Sequence, residues 1–148
     1  MGTENDLRFT GYAALFDVVD RGGDVVRRGA FAASLARARG MLPLLWEHDV
    51  SRPIGLVTAV EDVRGLRVDG RVSVRTAAGR EAARMLGEGA VRGLSFGYRV
   101  REARGERPRA LLGVDVVEVS VVRAPMQLGA RVERVTHHPA RSSRVAIE

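Results

Sequence analysis

A serine stands between two glycines in the stretch Gly93-Leu94-Ser95-Phe96-Gly97-Tyr98. On an extended chain Leu94, Phe96 and Tyr98 share one face, and Ser95 and Gly97 share the other. A hydroxyl beside a residue without a side chain leaves open space around its oxygen, which suits a nucleophile that a peptide backbone must approach closely. Taken alone, a strand serine is more readily filler with satisfied hydrogen bonds. Two further residues bear on the choice. His48 follows an apolar strand and Trp46 and precedes a turn containing Pro53, where a partly buried imidazole at a strand end is expected. Glu118 lies in Leu111–Val122, a run that is apolar on both faces. One carboxylate there must be buried and needs a partner, either a histidine to orient or an arginine in an ion pair. Serine, histidine and acid together form the set of a serine hydrolase: the hydroxyl attacks, the imidazole takes its proton, and the acid holds the imidazole tautomer. The order His48, Ser95, Glu118 differs from the three familiar ones, and the glycines around Ser95 stand within a strand, not as a G-x-S-x-G elbow between a strand and a helix, so an α/β-hydrolase is not indicated.

Other candidates are weaker. Asp115, on the opposite face of the same run, and Ser120, on the same face as Glu118, are alternatives for the third member. Asp17, Asp20 and Asp24 do not have the spacing of an EF-hand loop and read as turn residues around Gly22-Gly23. His137 and His138 stand in polar surroundings without further ligands and read as a solvated pair, so no metal site is expected.

The chain has 148 residues, of which 45% are hydrophobic, enough for one core, but only 5% are aromatic. That core must therefore be built mainly from Val, Leu and Ala. No Cys is present, which excludes disulfides and thiolate metal sites and fits a cytoplasmic protein. No apolar run approaches the ~20 residues needed to cross a bilayer, and no signal-peptide pattern opens the chain. The net charge is +6, and all 24 basic residues are Arg. They are spread along the chain and interleaved with acids rather than clustered among aromatics, so a dedicated nucleic-acid domain is not the reading.

The elements that must position these residues follow from periodicity. Residues 7–16 read as a strand with Phe9, Gly11, Ala13 and Leu15 on one face, and 29–39 as a short amphipathic helix ended by Gly40. Residues 41–47 form a strand delivering His48, and 54–61 and 65–75 form a hairpin or meander. Thr76 is a candidate N-cap for a helix over 77–86, stopped by Gly87 and Gly89. The Ser95 strand runs to about 101, 102–109 is a charged loop, and 111–122 is a buried strand closed by Ala124-Pro125. Residues 131–148 read as a polar, basic, flexible tail behind a domain over 1–130. The expected fold class is mostly β with two inserted helices (α+β), its seven or so short strands suiting a closed or nearly closed barrel.

Several stretches closely resemble the prohead (capsid maturation) proteases of tailed phages of the HK97 type. They are Gly11-Tyr12-Ala13 with Phe16, Asp20-Arg21-Gly22-Gly23-Asp24-Val25-Val26 leading to Gly29-Ala30-Phe31, and Leu45-Trp46-Glu47-His48-Asp49. Pro53-Ile54-Gly55, Gly65-Leu66, the segment from Gly89 to Tyr98, and Val117-Glu118-Val119-Ser120-Val121-Val122 with Ala124-Pro125 complete the match, over about residues 9–126. The resemblance implies a serine endopeptidase with the β-barrel and surrounding helices of herpesvirus assemblins. It implies residence in the procapsid, in the cytoplasm of a bacterial host. The partner would be the major capsid protein, whose scaffolding segment is cut before the enzyme degrades itself. A homodimer is one expected state; a membrane, specific nucleic acid or cofactor is not implied. His48 matches the family's histidine and Ser95 its serine, with Glu118 as the third member. Gly97, Phe96 and the backbone N–H groups near Ser95 are oxyanion or substrate candidates. Arg123 is a further one, because arginines serve assemblins so, although an exposed strand-end arginine is the plainer reading. Similar proteases occur in gene transfer agents, and a compact all-Arg sequence suits such a high-GC source. The remaining alternatives are an idle structural component of a phage-like particle and an arginine-rich nucleic-acid binding domain.

Overall fold

The computed structural model describes residues 6–137. Its strands are β1 (Leu7–Leu15), β2 (Asp24–Val26), β3 (Met41–Trp46), β4 (Asp49–Glu61), β5 (Gly65–Val72), β6 (Gly93–Arg104), β7 (Arg109–Val122) and β8 (Val132–His137). Two helices interrupt them, α1 (Ala32–Ala38) and α2 (Ala77–Glu88). The strands hydrogen-bond in the order β2-β7-β3-β4-β5-β1-β8, with β6 on the other side of β7. The open side of β6 is drawn back onto the far end of the sheet. Gly93 bridges Arg131, the Leu94 N–H donates to the Ala130 carbonyl at 2.9 Å, and the Val132 N–H donates to the Arg92 carbonyl at 2.8 Å. These bonds close the sheet into a barrel with two helices, the expected mostly-β architecture.

The core is aliphatic with one aromatic thread. Leu7, Leu44, Ile54, Leu66, Leu94, Leu111 and Val119 are fully buried. Each contributes about 1.5–3 kcal/mol by leaving water. Through them runs a chain of rings: Phe16 on Phe31 at 5.9 Å between centroids, Phe31 on Phe96 at 5.2 Å, and Phe96 on Tyr98 at 4.7 Å. The Thr76 hydroxyl accepts from the Gly79 N–H at 3.0 Å, capping α2 as its sequence announces, and Gly89 ends that helix in the left-handed region.

Four expectations are revised. The segment from 131 is not wholly tail: residues 132–137 form β8, because Val132 and, beyond a register shift, Val135 pack toward the core along the β1 edge. His137 is the last residue of that strand; His138 and the rest of the expected tail, like Met1 to Asn5, lie outside the described residues. The charged loop is short, because β6 and β7 extend as one long hairpin to Arg104 and from Arg109. In β1 the register shifts between Tyr12 and Ala14, so Ala13 and Ala14 are both buried and simple alternation fails. Helix α1 is shorter than expected, and Arg39 as well as Gly40 takes a positive φ at its end.

Candidate active site

Three adjacent strands assemble the site. β3 runs parallel to β7, with Leu45 opposite Ser120, and β6 runs antiparallel to β7, with Ser95 opposite Ser120 and Gly97 opposite Glu118. Directly paired residues project to the same face of a sheet, with Cβ atoms roughly 4.5–5.5 Å apart. Ser95, Gly97, Glu118 and Ser120 therefore share one face of the β6–β7 pair, while Leu94, Phe96, Val119 and Val121 fill the core behind it.

His48 enters this face from a strained turn. Trp46 pairs with Asp49, which leaves Glu47 and His48 as a two-residue hairpin connection with φ of 49° and 60°. That is the backbone of a type I′ turn, normally given to Asn-Gly, and a non-glycine residue held there costs about 1–2 kcal/mol. Two bonds to β7 offset the cost: the Glu47 N–H donates to the Val121 carbonyl at 2.9 Å, and the His48 N–H donates to Ser120 Oγ at 3.0 Å. Backbone strain maintained by the surrounding structure is characteristic of functional positions.

The turn places His48 Nδ1 2.5 Å from Glu118 Oε2. The other carboxylate oxygen, Oε1, accepts from the Ser120 hydroxyl at 2.6 Å. Ser120 therefore clamps both partners, donating to the acid and accepting from the histidine's own backbone. Glu118 is 6% exposed. Its carboxylate lies against Gly97, where a Cβ would stand 2.3 Å from Oε2. Gly97, considered from sequence as an oxyanion or substrate residue, thus has a separate structural role, vacating the space that the carboxylate occupies. The half-exposed His48 has its pKa raised, foremost by the hydrogen bond to Glu118, with the nearby Glu118 and Glu47 charges adding and burial opposing. A proton held on Nδ1 by Glu118 leaves Nε2 with its lone pair, the tautomer a general base requires.

Ser95 is 4% exposed, yet its hydroxyl makes no hydrogen bond among the described residues. No side-chain nitrogen or oxygen among them is both sealed from solvent and without a partner, so Ser95 Oγ retains a path to solvent. No hydrogen bond joins it to His48, and catalytic contacts of this kind tighten when substrate binds. Beside it a cavity of about 70 Å³ is walled by Val26, Leu94, Phe96, Tyr98 and Met126.

The remaining candidates are placed as follows. The Phe96 ring is packed in the aromatic thread; by strand alternation its N–H points to the same side as that of Leu94, away from β7. Arg123 lies 5.1 Å over the Trp46 ring with Nη1 3.5 Å from Glu47, so it braces the His48 turn rather than facing Ser95. Asp115 is taken up by Arg37 and Arg101 and does not meet His48. Sequence reasoning missed the clamp made by Ser120 and the space left by Gly97. The first was signalled only by the Glu-x-Ser alternation on one face, and the second by nothing local.

A family model described as caudovirus prohead serine protease matches residues 1–143. The chain belongs to that family. The prohead protease of Enterobacteria phage HK97 is 30% identical over 94 residues, which is 62% of this chain and 42% of that relative. The chain thus spans less than half of that relative's length. Among solved structures, a KSHV protease in complex with a hexapeptide phosphonate inhibitor matches with a TM-score of 0.59 and 13% identity over 96% of this chain and 74% of that one. Varicella-zoster virus protease matches with a TM-score of 0.55 and 17% identity over 86% of this chain and 63% of that one. These likenesses show that the chain shares the fold of the herpesvirus assemblin proteases.

Proposed function

We propose that this chain is the serine endopeptidase of procapsid maturation, cutting the scaffolding segment from the major capsid protein and finally itself. The observation that carries the reading is the His48 Nδ1–Glu118 hydrogen bond, built on a strained turn, on the face where Ser95 and Gly97 lie. In the reaction Ser95 Oγ attacks the scissile carbonyl carbon while His48 Nε2 accepts the hydroxyl proton. The tetrahedral oxyanion collapses, and the amide C–N bond breaks as the imidazolium returns its proton to the leaving amine. A water, deprotonated by the same nitrogen, then hydrolyses the acyl-serine. Glu118 holds the imidazole and balances the charge it gains, and Ser120 holds Glu118. The backbone N–H of Phe96, which points away from β7, is the oxyanion donor of this reading; Arg123, held against Glu47 and Trp46, is not assigned that part. The 70 Å³ cavity, lined by apolar side chains together with Asp20 and Gln127, suits one short side chain of the substrate beside the scissile bond. Action inside the procapsid, in the host cytoplasm, follows from the same reading, and no helix among the described residues is long and apolar enough to cross a membrane.

The test is co-expression with the major capsid protein of the same particle, comparing wild type with Ser95→Ala by intact mass. A defined truncation of the capsid protein with wild type only is expected. Full-length capsid protein persisting in both, in assembled particles, would instead mean an idle structural component.

A further inference from the structure

The strands farthest from β7 in the sheet order carry a second surface. On the solvent side of β4, β5, β1 and β8 the register sets Leu56, Arg71, Arg8 and Thr136 in one row across the four strands. Thr58, Asp69, Thr10 and Arg134 form the next row. Two shallow depressions, of about 300 and 230 Å³, run along these rows and share Arg8, Asp69 and Gly70, making one continuous groove across the sheet.

Its chemistry is uneven. Arg8, Arg71 and Arg134 have no carboxylate within ion-pair distance among the described residues, although arginines elsewhere on the surface are paired with Asp17, Glu81, Glu88 and Asp115. Arg8 stands directly opposite Arg71, a cross-strand pairing of like charges that is destabilising unless a counter-charge arrives. The sole acid of the two rows, Asp69, lies 3.9 Å from Arg67. At the β3–β4 end of the groove the charge gives way to apolar side chains: Met41 is 47% and Leu56 52% exposed. Basic side chains beside an exposed apolar shelf match an extended or helical peptide that carries both carboxylates and aliphatic residues. They match nucleic acid less well, since Phe9, the one aromatic residue along the groove, is buried and offers no stacking face, and one of the groove's charges is acidic. The chain's own segments outside the described residues are poor in acid: residues 1–5 hold one Glu, and 138–148 hold two Arg and one Glu.

We propose that this groove is an exosite that docks an acidic, amphipathic segment of the protein substrate, away from the Ser95 site; the proposal rests on the protease reading above. Docking on a face distinct from the scissile-bond site would raise the local concentration of the cleavage sequence without demanding much from the small cavity beside Ser95.

The test compares two substrates of the full chain: a fluorogenic peptide of about ten residues spanning the capsid protein's cleavage site, and the whole capsid protein. The variant Arg8→Glu/Arg71→Glu/Arg134→Glu is expected to cleave the peptide like wild type but to show KM for the whole protein raised about tenfold, at unchanged kcat, as three exposed ion pairs together imply. Arg28→Glu/Arg39→Glu/Arg104→Glu, with the same change in net charge elsewhere, is expected to leave both substrates unaffected. Equal KM values for the whole protein in wild type and the groove variant overturn the exosite while leaving the protease reading intact. A wild type that cleaves neither substrate overturns the protease reading itself. Should the groove variant fail to fold, Leu56→Ser decides: a threefold rise in KM for the whole protein alone supports docking, and no change refutes it. Binding of a 20-nucleotide DNA that the groove variant loses, with capsid-protein KM unmoved, reassigns the face to nucleic acid and refutes the proposal.

Discussion

Substituting Gly97 by alanine would drive a methyl group into the carboxylate on which His48 leans. A Cβ at that position would stand 2.3 Å from Glu118 Oε2 and 3.0 Å from Cδ, where ordinary contact begins at 3.4 Å, so the carboxylate must withdraw by about 1 Å. The 2.5 Å bond to His48 Nδ1 does not survive such a shift. A displacement of ~1 Å in supporting geometry costs on the order of 10²-fold in rate, and overpacking of this kind destabilises by about 1–3 kcal/mol. For a domain of this size that lowers the melting temperature by roughly 3–10 °C, leaving the protein folded at 25 °C. The assay is kcat/KM on a peptide spanning the cleavage site, measured against pH, with calorimetry in parallel. Since the Glu118 bond is the main cause of the raised His48 pKa, its loss also moves the acid limb of the profile toward the ordinary imidazole value of about 6.5. Mere loosening of the fold would not move that limb. Adding Glu118→Asp, one methylene shorter, should return part of the activity by vacating the contested space. A Gly97→Ala protein with at least half the wild-type kcat/KM and an unmoved acid limb refutes the reasoning.

Ser120→Ala removes a hydrogen bond to an ionised group and leaves the His48 N–H without its acceptor; a loss of about 1.5–3 kcal/mol, ~10–100-fold in kcat/KM, is expected, and Ser120→Thr should restore part of it. Glu118→Gln should lower the plateau by about 10²–10⁴-fold and shift the acid limb downward, read from a full kcat/KM profile. In the wild type that limb should lie above ~6.5, because a general base with a raised pKa needs higher pH to be neutral. The stability the His48–Glu118 pair adds has the opposite sense: it is fully present below the unfolded imidazole pKa of about 6.5 and is lost as pH rises through the folded value, which urea midpoints across pH 5–9 would display. Arg123→Ala should leave kcat within about threefold, whereas loss of an oxyanion donor costs ~10²–10³-fold; the larger drop would restore Arg123 to the reacting centre.

The chain's own pattern determined a good deal. The Thr76 cap, the β-rich run at Leu111–Val122, the turn glycines and the scarcity of aromatics are local facts, and they yield a mostly-β barrel with two helices because caps and period-2 alternation act through near neighbours. A mid-strand Glu118 between apolar residues already demanded a buried partner. What sequence left open, Asp115 or Ser120 in place of Glu118, turned on long-range register. Parallel pairing of β3 with β7 brings a turn to a carboxylate 70 positions away, and no local signal encodes that. The same holds for β8, whose polar sequence has no period-2 alternation and becomes a strand only because β1 offers an unpaired edge. The positive φ values of Glu47 and His48 run against their residue types and persist because Val121 and Ser120 hold the turn from the neighbouring strand. Residue types determined which groups could react. Only the closed sheet decided which of them face one another, since cross-strand contacts depend on register and closure rather than on spacing along the chain.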